Sequence, residues 1–213
     1  MLETQMGLVE VGVMTAEHLD SSAPRPSAER IKKRLTNKAL NYLGRYASTS
    51  VQLETILRKF VQRKFNKADP ALLDQLISEV IKSCVRLGYI DDEAFIRNKL
   101  RQGIRSGLSQ RRILLKLAQK GISRELAVAV MDKQIGRVAD KEDSDLAAAL
   151  IYARKKSVGP YSRAEHQPED NQRHLARLAR NGFAFNVAKQ VISLPSADAA
   201  DVLLDKIYPH QLG

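Results

Sequence analysis

Apolar residues recur at helical spacing through most of the chain, and the clearest pattern runs from Pro70 to about Leu87. Asp69 suits an N-cap and Pro70 suits the first helical position, where its missing amide proton costs nothing. Apolar side chains then follow at intervals of three and four residues, at Leu73, Leu76, Ile77, Val80, Ile81 and Cys84. Gly88 favours the left-handed conformation that ends a helix. The pattern therefore predicts a helix over this segment.

The segments that follow carry the same signals. Asp91, Ser109 and Ser123 are the predicted N-caps of three further helices. The first of these helices has an apolar side formed by Phe95, Ile96, Leu100 and Ile104, and the second buries Ile113, Leu114, Leu117 and Ala118 before Gly121. No stretch combines sustained strand alternation with hairpin-turn signals. The predicted fold class is all-α.

Two short sequence matches indicate an internal repeat. Residues 117–122 match residues 178–183, and in both segments a Gly follows a helix and an apolar residue follows the Gly. Residues 40–45 echo residues 150–155, with a Tyr and a basic residue at the same offset. The alternative is chance similarity among helices that are rich in Ala, Leu and Lys.

We interpret these matches as three tandem three-helix repeats that form an elongated, curved body without a shared globular core. The predicted boundaries of the repeats are 36–90, 91–138 and 144–194. Residues 1–28 are predicted to be a disordered N-terminal arm, because Pro24 and Pro26 interrupt a short polar segment. Met14 is a second candidate for the start codon. Residues 195–213 are assigned to a C-terminal tail.

The positive charge of the chain is concentrated in one part of it. The formal net charge is +11, and residues 29–120 alone hold 21 Lys and Arg against eight Asp and Glu. Residues 1–28 hold one Arg and four acids, and residues 121–213 hold 13 bases and 12 acids. A basic surface attracts anionic partners, although a solvated basic surface is the simpler alternative.

Motifs for catalysis, metal binding and membrane insertion are missing from the sequence. Cys84 is the only cysteine, which excludes a disulfide framework and a cysteine-based metal site. The four histidines lie at positions 18, 166, 174 and 210, without metal-ligand spacing, and no phosphate-binding loop or nucleophile elbow occurs. No apolar run reaches the roughly 18 residues of a membrane span. We expect a cytoplasmic protein that is not an enzyme and uses no cofactor.

The candidate binding residues form two basic stripes. Arg97, Arg101 and Arg105 are spaced by four residues, as are Arg112, Lys116 and Lys120 in the next predicted helix. Like charges four residues apart share a helix face and cost about 0.2–0.5 kcal/mol per pair, which a phosphate-rich or carboxylate-rich partner would offset. The short turn from Ser106 to Ser109 allows both stripes to face one side. The alternative is a solvated helix face.

Three tyrosines could serve as base-stacking groups: Tyr42, Tyr89 and Tyr152. We interpret them instead as half-buried helix contacts with a solvated hydroxyl.

Several segments resemble the RecX family of RecA-recombinase inhibitors. Residues 87–95 (LGYIDDEAF) resemble the joint between the family's first two repeats, and residues 107–113 with 120–122 resemble its second repeat. Residues 155–161 and 173–183 are similar to the third repeat of some members. The first repeat departs from the family pattern, because residues 63–65 (RKF) lack the usual Gly and residues 53–54 invert the usual acid–Leu order. Its turn is expected to differ in shape.

The resemblance implies a negative regulator that lodges in the groove of a RecA filament on DNA and damps homologous recombination, DNA repair and the SOS response. The implied partners are the recombinase filament together with single- or double-stranded DNA, and the protein is expected to be a monomer. The alternative function is direct DNA or RNA binding in the manner of helix-turn-helix proteins.

Overall fold

The computed structural model describes residues 27–135, 141–162 and 168–208, and this part of the chain is helical throughout, without a strand. The prediction of an all-α fold is confirmed. The helices are α1 (Ala28–Leu43), α2 (Ser50–Lys64), α3 (Pro70–Arg86), α4 (Asp92–Arg105), α5 (Gln110–Ala118), α6 (Arg124–Ile135), α7 (Lys141–Lys156), α8 (Pro168–Arg180), α9 (Phe185–Ile192) and α10 (Ala197–Ile207). A 3-10 helix, Gly159–Tyr161, lies between α7 and α8.

The helices begin where the capping residues predict. The Asp69 carboxylate accepts from the amides of Ala71 and Leu72, and the Asp91 carboxylate accepts from the amide of Ala94 at 2.7 Å. These bonds satisfy backbone donors that a helix leaves unpaired at its first turn. The start of α3 and the N-cap of α4 were therefore readable from the sequence.

Tandem three-helix organisation is confirmed, with α1–α3, α4–α6 and α7–α9 as repeats one, two and three. Residue 36, the predicted start of repeat one, lies inside α1. Ser27 and Ala28, which we assigned to the arm, cap and begin α1, because the Ser27 hydroxyl accepts from the Arg30 amide at 3.3 Å. The rest of the predicted arm lies outside the described residues.

The segment that we assigned to a tail contains a packed helix. Ala200 and Leu204 of α10 are buried against the core, and α10 packs on α7. The Tyr161 hydroxyl donates to the Asp201 carboxylate, whose other neighbour is the Arg154 guanidinium at 3.6 Å. Helix α10 therefore extends repeat three.

The described residues form two hydrophobic cores. One lies within repeat one, between α1, α2 and α3. The other is continuous through repeats two and three and includes α10, so the expectation that the three units share no core is wrong for the last two. The reason lies in α7, where residues 146–151 (LAAALI) are all buried and the small alanines let α4 and α9 pack closely on different sides.

The glycines of the repeat match occupy equivalent turns. Gly121 and Gly182 have φ values of +78° and +86°, a conformation that side chains with a Cβ adopt at a cost. The next amide bonds back into the helix in both turns, from Ile122 to Leu117 and from Phe183 to Leu178. Repeat one turns differently, as expected, because Phe65 ends α2 with a φ of −139°.

Candidate partner interface

Repeats two and three meet where α5 begins. The Ser109 hydroxyl donates to the Asn181 carbonyl at 2.8 Å and accepts from the Arg112 amide at 3.3 Å. The next amide, that of Gln110, donates to the Asp145 carboxylate of α7 at 2.9 Å. A single N-cap hydroxyl therefore both caps its own helix and attaches it to the turn after α8.

Repeats one and two meet through the same chemistry. The Thr49 hydroxyl donates to the Lys120 carbonyl at 2.7 Å and accepts from the Gln52 amide at 3.2 Å. The Asp92 carboxylate accepts from the amide and the hydroxyl of Ser50. We call these two sets of contacts the joints, and each joins the start of a second helix to the next repeat.

The joints place the second helices of the three repeats, α2, α5 and α8, end to end. The end of α8 meets the start of α5, and the end of α5 meets the start of α2. Contact is close, since a Cβ on Gly121 would lie 2.4 Å from a Val51 methyl carbon. Sequence reasoning identified the Ser109 cap but missed its second bond, because the acceptor lies in another repeat.

Burial raises the pKa of the Asp145 carboxyl above its ordinary value, and the hydrogen bond from the Gln110 amide opposes that shift. The charged form is disfavoured in this partly enclosed position, whereas the amide donor favours it. Asp145 thus acts chiefly as an acceptor that holds the start of α5.

The arginine stripe of α4 is partly neutralised. The Arg97 guanidinium contacts Glu93 at 3.3 Å and Asp91 at 3.6 Å, and it lines a small groove between α4 and α6. Arg101 donates to the Asn98 amide oxygen at 2.6 Å. Arg101 and Arg105 are exposed. The like-charge repulsion that the spacing implies is therefore relieved at Arg97 by these two acids.

Two lysines of the α5 stripe lie on a groove between α4 and α5, with a volume of about 550 Å³. We call it the lysine groove. Its apolar lining is Phe95, Gly103, Leu108, Ile113 and Leu117, and its cations are Lys99, Lys116 and Lys120. Lys116 and Lys120 make no ion pair with any described residue. Arg112, the third member of the stripe, is exposed outside this lining.

Lys99 belongs to this groove and was missed by the four-residue spacing of the stripes. Its ammonium lies 5.6 Å from the centre of the Phe95 ring. Lys99 follows Arg97 by two residues, which places the two side chains about 200° apart around α4. The structure therefore brings Lys116 and Lys120 together with Lys99, while Arg97 lies on another groove. Arg101, Arg105 and Arg112 line neither of these grooves, and a common face for them stays a prediction.

A second basic groove, which the sequence analysis did not identify, lies on repeat three. It has a volume of about 580 Å³, and we call it the arginine groove. Its lining consists of Tyr152, Asp170, Arg173, His174, Arg177, Arg180 and Asn181. The repeat match, which aligns Leu117 with Leu178, also aligns Arg112 and Lys116 with Arg173 and Arg177, so the sequence did contain this signal.

Of the four histidines, His174 in α8 is the one that lies among the described residues. His174 accepts from the Gly159 amide at Nδ1, 3.0 Å away, and so connects α8 to the 3-10 helix. His166 lies outside the described residues. Among the residues that the structure describes, no group of three His, Cys, Asp or Glu side chains is arranged to hold a metal ion.

The tyrosines differ in their surroundings. Tyr152 is half-buried and lies 5.9 Å from the Phe183 ring, as we expected of a helix contact, but its hydroxyl accepts from the Asn181 amide where we expected solvent. Tyr42 is also half-buried and packs on the core of repeat one. Tyr89 is 55% exposed, so the interpretation is wrong for that residue.

Taken together, tandem three-helix repeats, capped joints and two cation-lined grooves define an all-helical repeat protein with basic surface grooves. No helix in the described ranges is long and apolar enough to cross a membrane. Comparison with known proteins agrees with this class. The family described as "RecX, second three-helix domain" matches residues 91–131, which include α4, α5 and most of α6.

Two relatives match most of the chain. A protein named Regulatory protein RecX from Agrobacterium fabrum (strain C58) is 32% identical over 79% of this chain and 87% of its own length. A second protein of that name, from Myxococcus xanthus (strain DK1622), is 39% identical over 74% of this chain and 83% of its own length. The chain belongs to the RecX family.

The fold is similar to that of a solved family member. The crystal structure of RecX from Lactobacillus salivarius matches with a TM-score of 0.59, covering 81% of this chain and 97% of the other. Sequence identity is 20%, so this likeness concerns the fold alone.

Proposed function

We propose that this protein is a negative regulator of a RecA-type recombinase, which binds the recombinase–DNA filament and modulates homologous recombination, DNA repair and the SOS response. The observation that carries the proposal is family membership, with two relatives named as regulatory proteins across most of both chains. In this proposal the protein acts in the cytoplasm as a monomer, by binding rather than by catalysis, and needs no cofactor.

The lysine groove supports a protein contact. Its apolar floor offers a place for a partner's apolar side chain, and Lys116 and Lys120 offer charges for carboxylates beside it. Interfaces combine a central apolar anchor with polar surroundings in this way. The exposed Arg101, Arg105 and Arg112 would add long-range attraction to an anionic filament. All six bases of the two stripes remain our candidates, with Arg97 the weakest because it already has acidic partners.

ATP hydrolysis by a RecA-type recombinase on single-stranded DNA tests the proposal. We expect hydrolysis to fall when the purified protein is added at a small fraction of the recombinase concentration, because one bound regulator affects many filament subunits. A fall that begins only when the protein saturates the DNA would contradict regulation and favour the helix-turn-helix alternative.

A further inference from the structure

The arginines of α8 form a compact cationic row. Arg173, Arg177 and Arg180 follow each other by four and three residues, so they share one face over about 10 Å of helix. Arg173 pairs with Asp170 at 3.2 Å. Arg177 and Arg180 make no ion pair with any described residue. Two guanidinium groups on this face therefore keep their charge available to an anion.

The lining of the arginine groove differs from that of the lysine groove. No aliphatic side chain and no phenylalanine contributes to it, whereas the lysine groove has an apolar floor. One wall is held in place by Asn181, whose amide donates to the Tyr152 hydroxyl at 2.6 Å and to the Arg177 carbonyl at 2.8 Å. Apart from the His174 imidazole, the Tyr152 ring is the one aromatic part of the lining. The groove therefore offers little to an apolar anchor side chain, whereas peptide-binding grooves generally have pockets for such side chains.

We propose that the arginine groove binds the phosphate backbone of a nucleic acid. A polyanion without apolar side chains matches the lining, and the planar guanidinium binds phosphate oxygens through two parallel hydrogen bonds. An acidic protein segment would be the rival ligand, but it would leave its apolar side chains without contacts. This inference rests on the proposed function and deepens it, because it assigns the DNA contact of the filament-binding protein to repeat three; the test below omits the recombinase, so its failure is distinguishable from a failure of recombinase regulation.

The joint extends the cationic surface from repeat three towards repeat two. Asn181 accepts from Ser109 through its carbonyl, and Gly182 lies against the Arg111 side chain, with a Cβ position 3.5 Å from its Cβ. Arg111 and Arg112 are exposed at the start of α5, and Arg111 lies beside the turn that borders the arginine groove. A nucleic-acid strand that lies along α8 would therefore contact further basic side chains on the other side of the joint.

Fluorescence anisotropy with a labelled oligo-dT, in the absence of recombinase, tests this assignment on the full chain. The test variant is Arg177→Glu/Arg180→Glu. The matched control is Lys189→Glu/Lys206→Glu, which changes the net charge equally at exposed positions of α9 and α10. We expect the test variant to bind about tenfold or more weakly at low salt, and the slope of log affinity against log salt to decrease by about 0.7 for each lost phosphate contact.

The DNA affinity of the control variant should stay within about threefold of that of the unmodified protein, because the two substituted lysines lie away from the arginine groove. Equal weakening by both variants would overturn the inference, as would the absence of salt-dependent DNA binding by the unmodified protein. Unchanged DNA binding with lost recombinase inhibition would also overturn it and would assign the groove to a protein. If circular dichroism shows that the glutamates reduce helix content, Arg177→Gln/Arg180→Gln removes the charges without reversing them, and its DNA affinity then decides.

Discussion

The Ser109 hydroxyl and the Asn181 carbonyl, 72 positions apart in the chain, form a 2.8 Å hydrogen bond that joins α5 to α8. Ser109 is completely buried, so its hydroxyl has no access to water and needs both of its protein partners. Thr49 and Lys120 repeat this relationship between repeats one and two. The position of one repeat on the next thus depends on a few buried polar groups.

Ser109→Ala should destabilise the protein more than the loss of an ordinary cap. We expect the free energy of unfolding to fall by about 2–3 kcal/mol. About 1 kcal/mol is lost with the helix cap, and the Asn181 carbonyl also loses its hydrogen-bond donor. Ser123→Ala is the matched control, since Ser123 caps α6 through the Leu126 amide at 3.2 Å and is exposed. Urea unfolding measures both variants. Equal losses would mean that the inter-repeat bond contributes nothing.

Gly182→Ala should be more harmful than Gly88→Ala. Both glycines have positive φ values, so each substitution adds about 1–2 kcal/mol of backbone strain. A Cβ on Gly182 would lie 2.7 Å from the Ser109 hydroxyl oxygen, whereas a Cβ on Gly88 has no neighbour within 4 Å. Thermal unfolding should therefore show a larger decrease in Tm for the first variant. The opposite order would contradict close packing at this joint.

Asp145→Asn should be as stable as the unmodified protein or more stable at pH 7. Burial raises the pKa of Asp145 in the folded state, so folding stability falls as pH rises from the unfolded pKa through the folded one. Asparagine keeps an acceptor for the Gln110 amide and carries no charge. The advantage of the variant should shrink towards pH 4, as the carboxyl of the unmodified protein becomes protonated.

Asp145→Ala is the comparison, because it removes the charge and the acceptor together. Asp145→Ala should lower the free energy of unfolding by about 1 kcal/mol, as the loss of a helix cap does. Chemical unfolding at several pH values separates the two effects. An Asp145→Asn protein that is less stable at pH 7, with a deficit that shrinks as the pH falls, would show that the charge itself stabilises the joint.

The two separate cores predict an elongated molecule. Repeat one contacts repeat two mainly at the joint and has its own core, so the chain should not collapse into one sphere. Small-angle scattering should give a radius of gyration clearly above the roughly 17 Å of globular scaling for this length. A value at the globular figure would contradict the elongated, curved shape.

Local signals predicted most of the fold. Asp69, Asp91 and Ser109 cap the helices that the sequence assigned to them, and Gly121 ends its turn as expected. These features depend on residues within one turn of each other, so they are readable from a short window. Helix α10 had a similar signal, because Ser196 caps it through the Ala199 amide, but the family resemblance ended before it.

The candidate site was less predictable because it depends on contacts between distant segments. The spacing of four residues grouped Arg97 with Arg101, although the Arg97 guanidinium forms ion pairs with two nearby acids. Lys99 escaped notice because its relation to Lys116 arises from the packing of α4 on α5. There, a Cβ on Gly103 would lie 2.6 Å from the Ile113 side chain. That approach is a tertiary feature without a local pattern.

The most direct test of the account is recombinase ATP hydrolysis measured with Lys116→Glu/Lys120→Glu. Both side chains line the lysine groove without an ion pair among the described residues, so the variant should fold with unchanged helix content. Lys189→Glu/Lys206→Glu controls for net charge. We predict that the groove variant needs about tenfold or more protein for half-maximal inhibition, a loss of about 1.4 kcal/mol, while the control inhibits normally. Full inhibition by a folded groove variant would contradict the proposed attachment surface.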